Sequence, residues 1–333
     1  MKKLDWDVSS DRETIREDAI NLQSRLHERR YMPHFQSTQS AKKWLENDRA
    51  RWRRKTMEKY ELFAGSNIRG NILEVGAGTG WASALVSKKP EVNLVYALDY
   101  DPYCVNELMP QVFKTLDAEM ENINAVHGSF NNIKKNEFFD LILSFGALHH
   151  SENLEETLTQ CFHALKPGGF LLASEPAEPD SMSQQMEKAR MEEIDKDSML
   201  KYGMKTKHQD NSDHYYRLSQ YLSAAYNCGF NAYPFLFDRN GRQASDRIFT
   251  ERLCFDGYAI IPHKPYFGGD AFDRLMLRLE KPKDLEVSEK DLAKYKQEHE
   301  TGSRGWIGKR ILKRTLPEAT INQLRKIKAV PKQ

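Results

Sequence analysis

Residues 71–80, Asn-Ile-Leu-Glu-Val-Gly-Ala-Gly-Thr-Gly, constrain the fold more than any other stretch, because a short apolar strand runs directly into three glycines spaced two apart. Glycine adopts a left-handed backbone without a side-chain clash, so Gly76, Gly78 and Gly80 can make a tight turn in which main-chain groups face a ligand. A nucleotide-like cofactor is the expected occupant. The dinucleotide fingerprint G-x-G-x-x-G does not fit, since Trp81 stands where its third glycine would be.

The residues beyond this loop support a repeating α/β unit. Residues 81–89 are compatible with a helix, Pro90 breaks it, and an apolar strand over 94–98 ends at Asp99. An acid at the end of this second strand is placed to accept both hydroxyls of a ribose. Pro102 suits the first turn of a helix expected to run to about Met120. A third strand over 124–127 leads to Gly128, Ser129 and Phe130. A fourth over 140–145 leads to Gly146-Ala-Leu-His-His150. Leu154, Leu158, Phe162 and Leu165 then recur at helical spacing, and Pro167-Gly168-Gly169 reads as a turn into a fifth strand over 170–174. Strands alternating with helices imply a doubly wound, mostly parallel sheet.

The glycine loop E-x-G-x-G-x-G after a strand resembles motif I of the class I S-adenosylmethionine-dependent methyltransferases. The segment over about 70–176, with its F-D-hydrophobic strand, L-H-H and L-K-P-G-G, resembles the small-molecule members of the ubiquinone-biosynthesis type. The resemblance implies a seven-stranded Rossmann-like sheet, S-adenosylmethionine as cofactor and S-adenosylhomocysteine as product. It places Glu74, Gly76, Ala77, Gly78 and Gly80 of the loop, Asp99 and Tyr100, Ser129 and Phe130, and Ser144 at the cofactor. Family members commonly carry an acid after the glycine of the third strand to bind the adenine amino group. Ser129 stands there instead and can accept one hydrogen bond.

Three regions are expected. Residues 1–69 form a helical extension or lid, with helices over about 10–26 and 40–63 and with Tyr31, Phe35, Trp44 and Trp52 as candidate lid aromatics, although each could simply pack on the domain. The catalytic domain covers 70–283 with insertions at 177–213 and 238–273. It closes with a helix over 215–228, a sixth strand over 231–237 and a seventh over 274–279. Residues 284–333 form a linker and a basic amphipathic tail. Within 303–329, Ile307, Ile311, Leu312 and Leu316 face away from Lys309, Arg310, Lys313 and Arg314, a pattern suited to an anionic membrane surface or to the protein's own acidic body. Sixteen Lys and Arg against eleven Asp and Glu in 1–69, and nine against one in 301–333, flank a middle of about −11 within a net charge of +2.

Methyl transfer from a sulfonium is an in-line displacement, so the protein must chiefly align two reactants and exclude water. A hydroxyl acceptor also needs its proton removed. His149, His150 and Glu175, at the ends of strands, are the candidates for that chemistry, with His149 first; alternatively the histidine pair only shapes the pocket. Glu178, Asp180, His208 and His214 are secondary candidates whose spacing favours no metal, so none is expected. The acceptor expected is a hydroxylated small molecule or a saccharide, foremost a bacterial cell-envelope saccharide, as the core and basic tail resemble methyltransferases of surface-polysaccharide biosynthesis. A quinone precursor, RNA and a non-catalytic cofactor-binding scaffold stand as alternatives.

Ser144-Phe-Gly-Ala147 lacks the N-P-P-Y-like turn of nucleic-acid amine methylation, and no nucleic-acid-binding module is evident. Cys104, Cys161, Cys228 and Cys254 form no C-x-x-C pair, which fits a reducing compartment. With no apolar run after the first lysines and none of about 18 residues, the expected location is the cytoplasm, with the tail at the inner membrane surface. The sequence leaves the oligomeric state open.

Overall fold

The computed structural model describes residues 1–6, 32–34, 36–37, 39–40, 43, 68–177, 185, 192, 214, 216–237 and 274–282. Its strands are β1 (Lys2–Asp5), β2 (Gly70–Val75), β3 (Val92–Asp99), β4 (Ile123–His127), β5 (Phe139–Phe145), β6 (Leu165–Glu175), β7 (Asn231–Phe237) and β8 (Arg274–Glu280). Between them run α1 (Trp81–Ser87), α2 (Met109–Thr115, preceded by a π-helical turn over Cys104–Leu108), α3 (Leu154–Ala164) and α4 (Leu218–Asn227). One sheet holds all eight strands in the order β1-β4-β3-β2-β5-β6-β8-β7. Every pairing is parallel except those of β8, which runs antiparallel to β6 and β7.

Parallel strands covered on both sides need apolar residues in both directions, and the near-continuous runs of β2, β3 and β5 supply them. Ile72, Val95, Ala97, Leu141 and Leu143 meet α1 and α2 on one face. Leu73, Val75, Leu98, Ile142 and Leu171 meet α3 and α4 on the other. The chain winds β2, β3, β4 outward, then returns to the far side of β2 with β5, so the order reverses between β2 and β5. Open α/β sheets bind their ligands at the carboxyl ends of the strands beside such a reversal.

The sheet has one strand more than the seven expected. Lys2–Asp5, assigned from sequence to a helical extension, pairs in parallel with β4, and Trp6 donates its N–H to the His127 carbonyl at 2.7 Å. Four residues with two lysines give little strand signal, yet charged side chains suit an edge strand. A second difference lies at Pro167-Gly168-Gly169. Instead of a turn before a strand, these residues bulge out of β6, where Leu165 pairs with Phe139 but Phe170 already with Leu141. Gly168 and Gly169 exchange backbone hydrogen bonds with Lys281, which satisfies the bulged main chain. The expected helix over 10–26, the one over 40–63 apart from Ser40 and Lys43, the candidate lid aromatics, most of the two insertions, Cys254 and the tail over 303–329 lie outside the described residues. Among the described residues no helix is long and apolar enough to cross a membrane.

Leu158 is fully buried on α3 within the sheet-facing cluster. Leu158→Ala should therefore lower unfolding free energy by about 2–5 kcal/mol. Urea titration checks this, and a loss well below about 1 kcal/mol would mean that α3 does not pack on the sheet as described.

Candidate functional site

The carboxyl ends of β2 to β6 converge on one edge. At its centre Gly76, Gly78 and Gly80 all have positive φ, at 61°, 53° and 72°. Two of them are glycine for want of space as well: a Cβ on Gly76 would collide with the Ala147 Cβ, and one on Gly80 would lie 2.6 Å from the Phe113 ring. A Cβ on Gly78 would meet nothing within 4 Å, so the loop opens onto space there. Ala77 is tied back by its N–H to the Leu98 carbonyl at 2.9 Å. Trp81, the residue that breaks the dinucleotide fingerprint, is buried at the start of α1 against Phe145, ring centroids 5.0 Å apart.

Asp99 is buried and accepts the Gly78 N–H at 2.6 Å and the Asp101 N–H at 2.9 Å. It thus binds the glycine loop to the end of β3. A carboxylate offers about four acceptor positions, so these two bonds are compatible with hydroxyls sharing the group. Asp101, which the sequence reading overlooked, is fully buried and accepts the Tyr103 N–H at 2.9 Å, capping the helix that Pro102 opens. The Asp-Pro pair is the sequence signal that would have found it. Tyr100 contributes its carbonyl to His127 Nε2 at 3.2 Å. Ser129 is buried, its hydroxyl accepting the Asn131 N–H at 3.0 Å within the turn after β4, and Phe130 packs against the core beside it.

Three expected site residues make hydrogen bonds within the frame. Glu74 is buried, and its Oε2 accepts the Ser83 N–H at 2.8 Å and the Ser83 hydroxyl at 2.5 Å, which caps the third position of α1. Ser144 is fully buried and donates its hydroxyl to Glu175 Oε1 at 2.6 Å. Glu175 is itself fully buried. Besides Ser144, it accepts the N–H groups of Ala147 and Leu148 at 3.2 Å, the N–H of His149 at 3.4 Å and His149 Nδ1 at 2.9 Å. A carboxylate so enclosed cannot serve as a base toward a substrate; it shapes the loop that follows β5.

His149 and His150 lie on a 3-10 turn, Leu148–His150, with ring centroids 4.1 Å apart. His149 is mostly buried, at 13% side-chain exposure. Because a carboxylate can only accept, the bond to Glu175 keeps a hydrogen on Nδ1 of His149. His214, a secondary candidate, is brought to the same place, its N–H donating to the His149 carbonyl at 2.7 Å. Glu178, Asp180 and His208 fall outside the described residues. Among the described residues no three His, Cys, Asp or Glu are grouped to hold a metal.

A small molecule with a nucleoside end fits this edge. Among the described residues the buried Thr79 hydroxyl in the glycine loop has no hydrogen-bond partner, Gly78 faces open space, and Asp99 is bonded to the Gly78 N–H. A separate cavity of about 340 Å³, bordered by Arg69, Asp140, Lys166 and Arg278, lies at the opposite ends of the strands. Two of its cations are already matched, Lys166 by Asp140 and Arg278 by Glu280.

Burial alone would raise the pKa of Glu175, but the hydrogen bond and charge of His149, with the Ser144 hydroxyl and the Ala147 N–H, outweigh it and hold the group below its ordinary value. A lowered folded pKa stabilises the protein above the unfolded value of about 4.3, and that contribution is lost as pH falls through the folded value. Glu175→Gln should cost about 1–3 kcal/mol at neutral pH, and less as the medium becomes acid. Urea midpoints at several pH values check this; a deficit that grows on acidification would contradict the assignment.

A family model described as a methyltransferase domain matches residues 44–232, more than half of the chain. The chain is 30% identical over 130 residues to a hybrid PKS-NRPS synthetase of Talaromyces variabilis, covering 34% of this chain and 3% of that protein. It is 27% identical over 133 residues to the demethylmenaquinone methyltransferase of Lactiplantibacillus plantarum, covering 39% of this chain and 53% of that protein. The chain thus spans at most about half the length of these curated relatives. Among solved structures it is similar to a putative methyltransferase from Bacillus halodurans, with 18% identity, 68% of this chain and 98% of that chain covered, and a TM-score of 0.45. Because the family model runs through the strands and loops that build this edge, the chain belongs to the S-adenosylmethionine-dependent methyltransferase family.

Proposed function

We propose that the protein transfers the methyl group of S-adenosylmethionine to a hydroxyl of a small molecule or glycan, with a bacterial cell-envelope saccharide as the acceptor of first choice. One observation carries the hydroxyl reading: a histidine on the loop that touches the glycine turn, held through Nδ1 by a buried carboxylate. S-adenosylmethionine supplies an electrophilic methyl carbon on a sulfonium, which an oxygen nucleophile displaces to leave the thioether S-adenosylhomocysteine. An alcohol is a poor nucleophile until its proton leaves, and His149 Nε2 is the nitrogen assigned here to take it as the new carbon–oxygen bond forms. Glu175 fixes the tautomer and supports the imidazolium that results, as a positioning residue. Gly76, Ala77, Gly78 and Thr79 would hold the amino-acid end of the cofactor and Asp99 its ribose, with Ser129 and Phe130 beside the adenine. The fit rests on the open face of Gly78 and on the buried Thr79 hydroxyl, which has no hydrogen-bond partner among the described residues.

Calorimetry tests the cofactor. Wild type should bind S-adenosylmethionine and S-adenosylhomocysteine, whereas Asp99→Ala with Gly78→Val should lose at least about tenfold in affinity, through lost hydrogen bonds and a side chain forced into a left-handed position. Undiminished binding by the double variant would overturn the site.

Labelled methyl donor offered with sugar nucleotides, glycans, quinone precursors and RNA tests the acceptor. With an accepted hydroxyl compound, His149→Ala should lower kcat by about 10²–10⁴-fold, leaving cofactor affinity nearly unchanged. Transfer only to RNA would refute the hydroxylated-small-molecule reading. Cofactor binding without transfer to any acceptor would favour a scaffold role.

A further inference from the structure

We propose that His127 positions the nucleoside end of the cofactor site and that the added strand β1 acts on the site through it. The inference rests on the methyltransferase reading and concerns residues that the family resemblance does not assign. His127 closes β4, one residue before the Gly128-Ser129-Phe130 turn. Its Nδ1 lies 3.3 Å from Asp5 Oδ1 on β1, and its Nε2 lies 3.2 Å from the carbonyl of Tyr100, the residue after Asp99. Two backbone bonds surround the ring: Trp6 N–H to the His127 carbonyl at 2.7 Å, and Gly128 N–H to the Asp99 carbonyl at 3.0 Å. Trp6 also stacks on Tyr96, and a Cβ on Gly128 would lie 2.8 Å from the Trp6 Cβ, so only glycine lets β1 seat this closely.

The two ring contacts make the same demand on His127. A carbonyl and a carboxylate both accept and neither donates, so both bonds form together only when both ring nitrogens carry hydrogen. Removing one hydrogen forfeits one bond, and the corner that carries Asp99 loosens from β1. The charged groups described on the flanking elements are Lys2, Lys3 and Asp5 on β1, Asp99 as the register partner of His127 on β3, and Asp101 and Glu107 beyond it; Lys3 is held by Asn106.

Calorimetry of the full chain with S-adenosylhomocysteine, from about pH 6 to about pH 8.5, tests the proposal, with melting temperatures measured alongside. Wild-type affinity should fall about three- to tenfold from the acid to the alkaline end, the equilibrium effect of one hydrogen bond. Asp5 is 81% exposed, so Asp5→Ala should melt near the wild type, yet bind more weakly at the acid end and show a flatter profile. His127→Gln should flatten it further. Superposed profiles for wild type and both variants would overturn the role of His127. So would a uniform loss that leaves the pH dependence intact and follows the melting temperature, since that is mere destabilisation. Absence of S-adenosylhomocysteine binding by wild type would instead overturn the methyltransferase reading, and the proposal with it.

Discussion

The working edge of this protein depends on one buried carboxylate. Glu175 ends the longest strand of the sheet and accepts hydrogen from the Ser144 hydroxyl, three consecutive backbone N–H groups and the His149 ring. An ion removed from water is costly unless its acceptor positions are filled, and here they are filled by the very loop that must be rigid. The turn after β5 is thereby fixed with Ala147 against Gly76, so two loops from neighbouring strands meet at the reversal of strand order. The same carboxylate holds the His149 ring through Nδ1.

Glu175 is the extreme of a pattern repeated along the edge. Glu74 caps α1 through Ser83, Asp99 holds Gly78 and Asp101, and Asp101 caps the helix after β3. A strand that ends in an acid presents an acceptor where the next turn or helix has N–H groups without intrahelical partners, and the helix dipole favours the negative charge. Carboxylates at strand ends are therefore structural before they are functional. Asp99 can be both, because it joins the loop from one side and stands next to the open face of Gly78 on the other.

The edge strand shows how a small addition reaches the site. β1 contributes four residues to the sheet, yet it brings Trp6 onto Tyr96 and Gly128 and gives His127 an acid partner. On the other side of the molecule, the bulge at Pro167–Gly169 and its bonds to Lys281 fasten β6 to the chain leaving β8, far from the loops that carry the chemistry.

Much of this was legible in the sequence because local patterns have local causes. Alternating apolar runs and helical spacing define β2 to β6 and the intervening helices, and the positive φ at Gly76, Gly78 and Gly80 follows from glycine in a strand-to-helix turn. The end of β7 at Phe237 was visible, as was the placing of Asp99 at the end of β3. What the sequence could not decide was which oxygen meets which hydrogen. The resemblance placed Glu74 and Ser144 at the cofactor and a strand end made Glu175 a candidate, but only the fold showed that each is buried against partners lying 9 to 31 residues away. The parallel pairing of Lys2–Asp5 with β4 joins segments more than a hundred residues apart, and no window of sequence contains it. Periodicity and glycine chemistry determined the elements and their order. Tertiary packing alone decided the hydrogen-bond partners of the acids and histidines, and with them each residue's role.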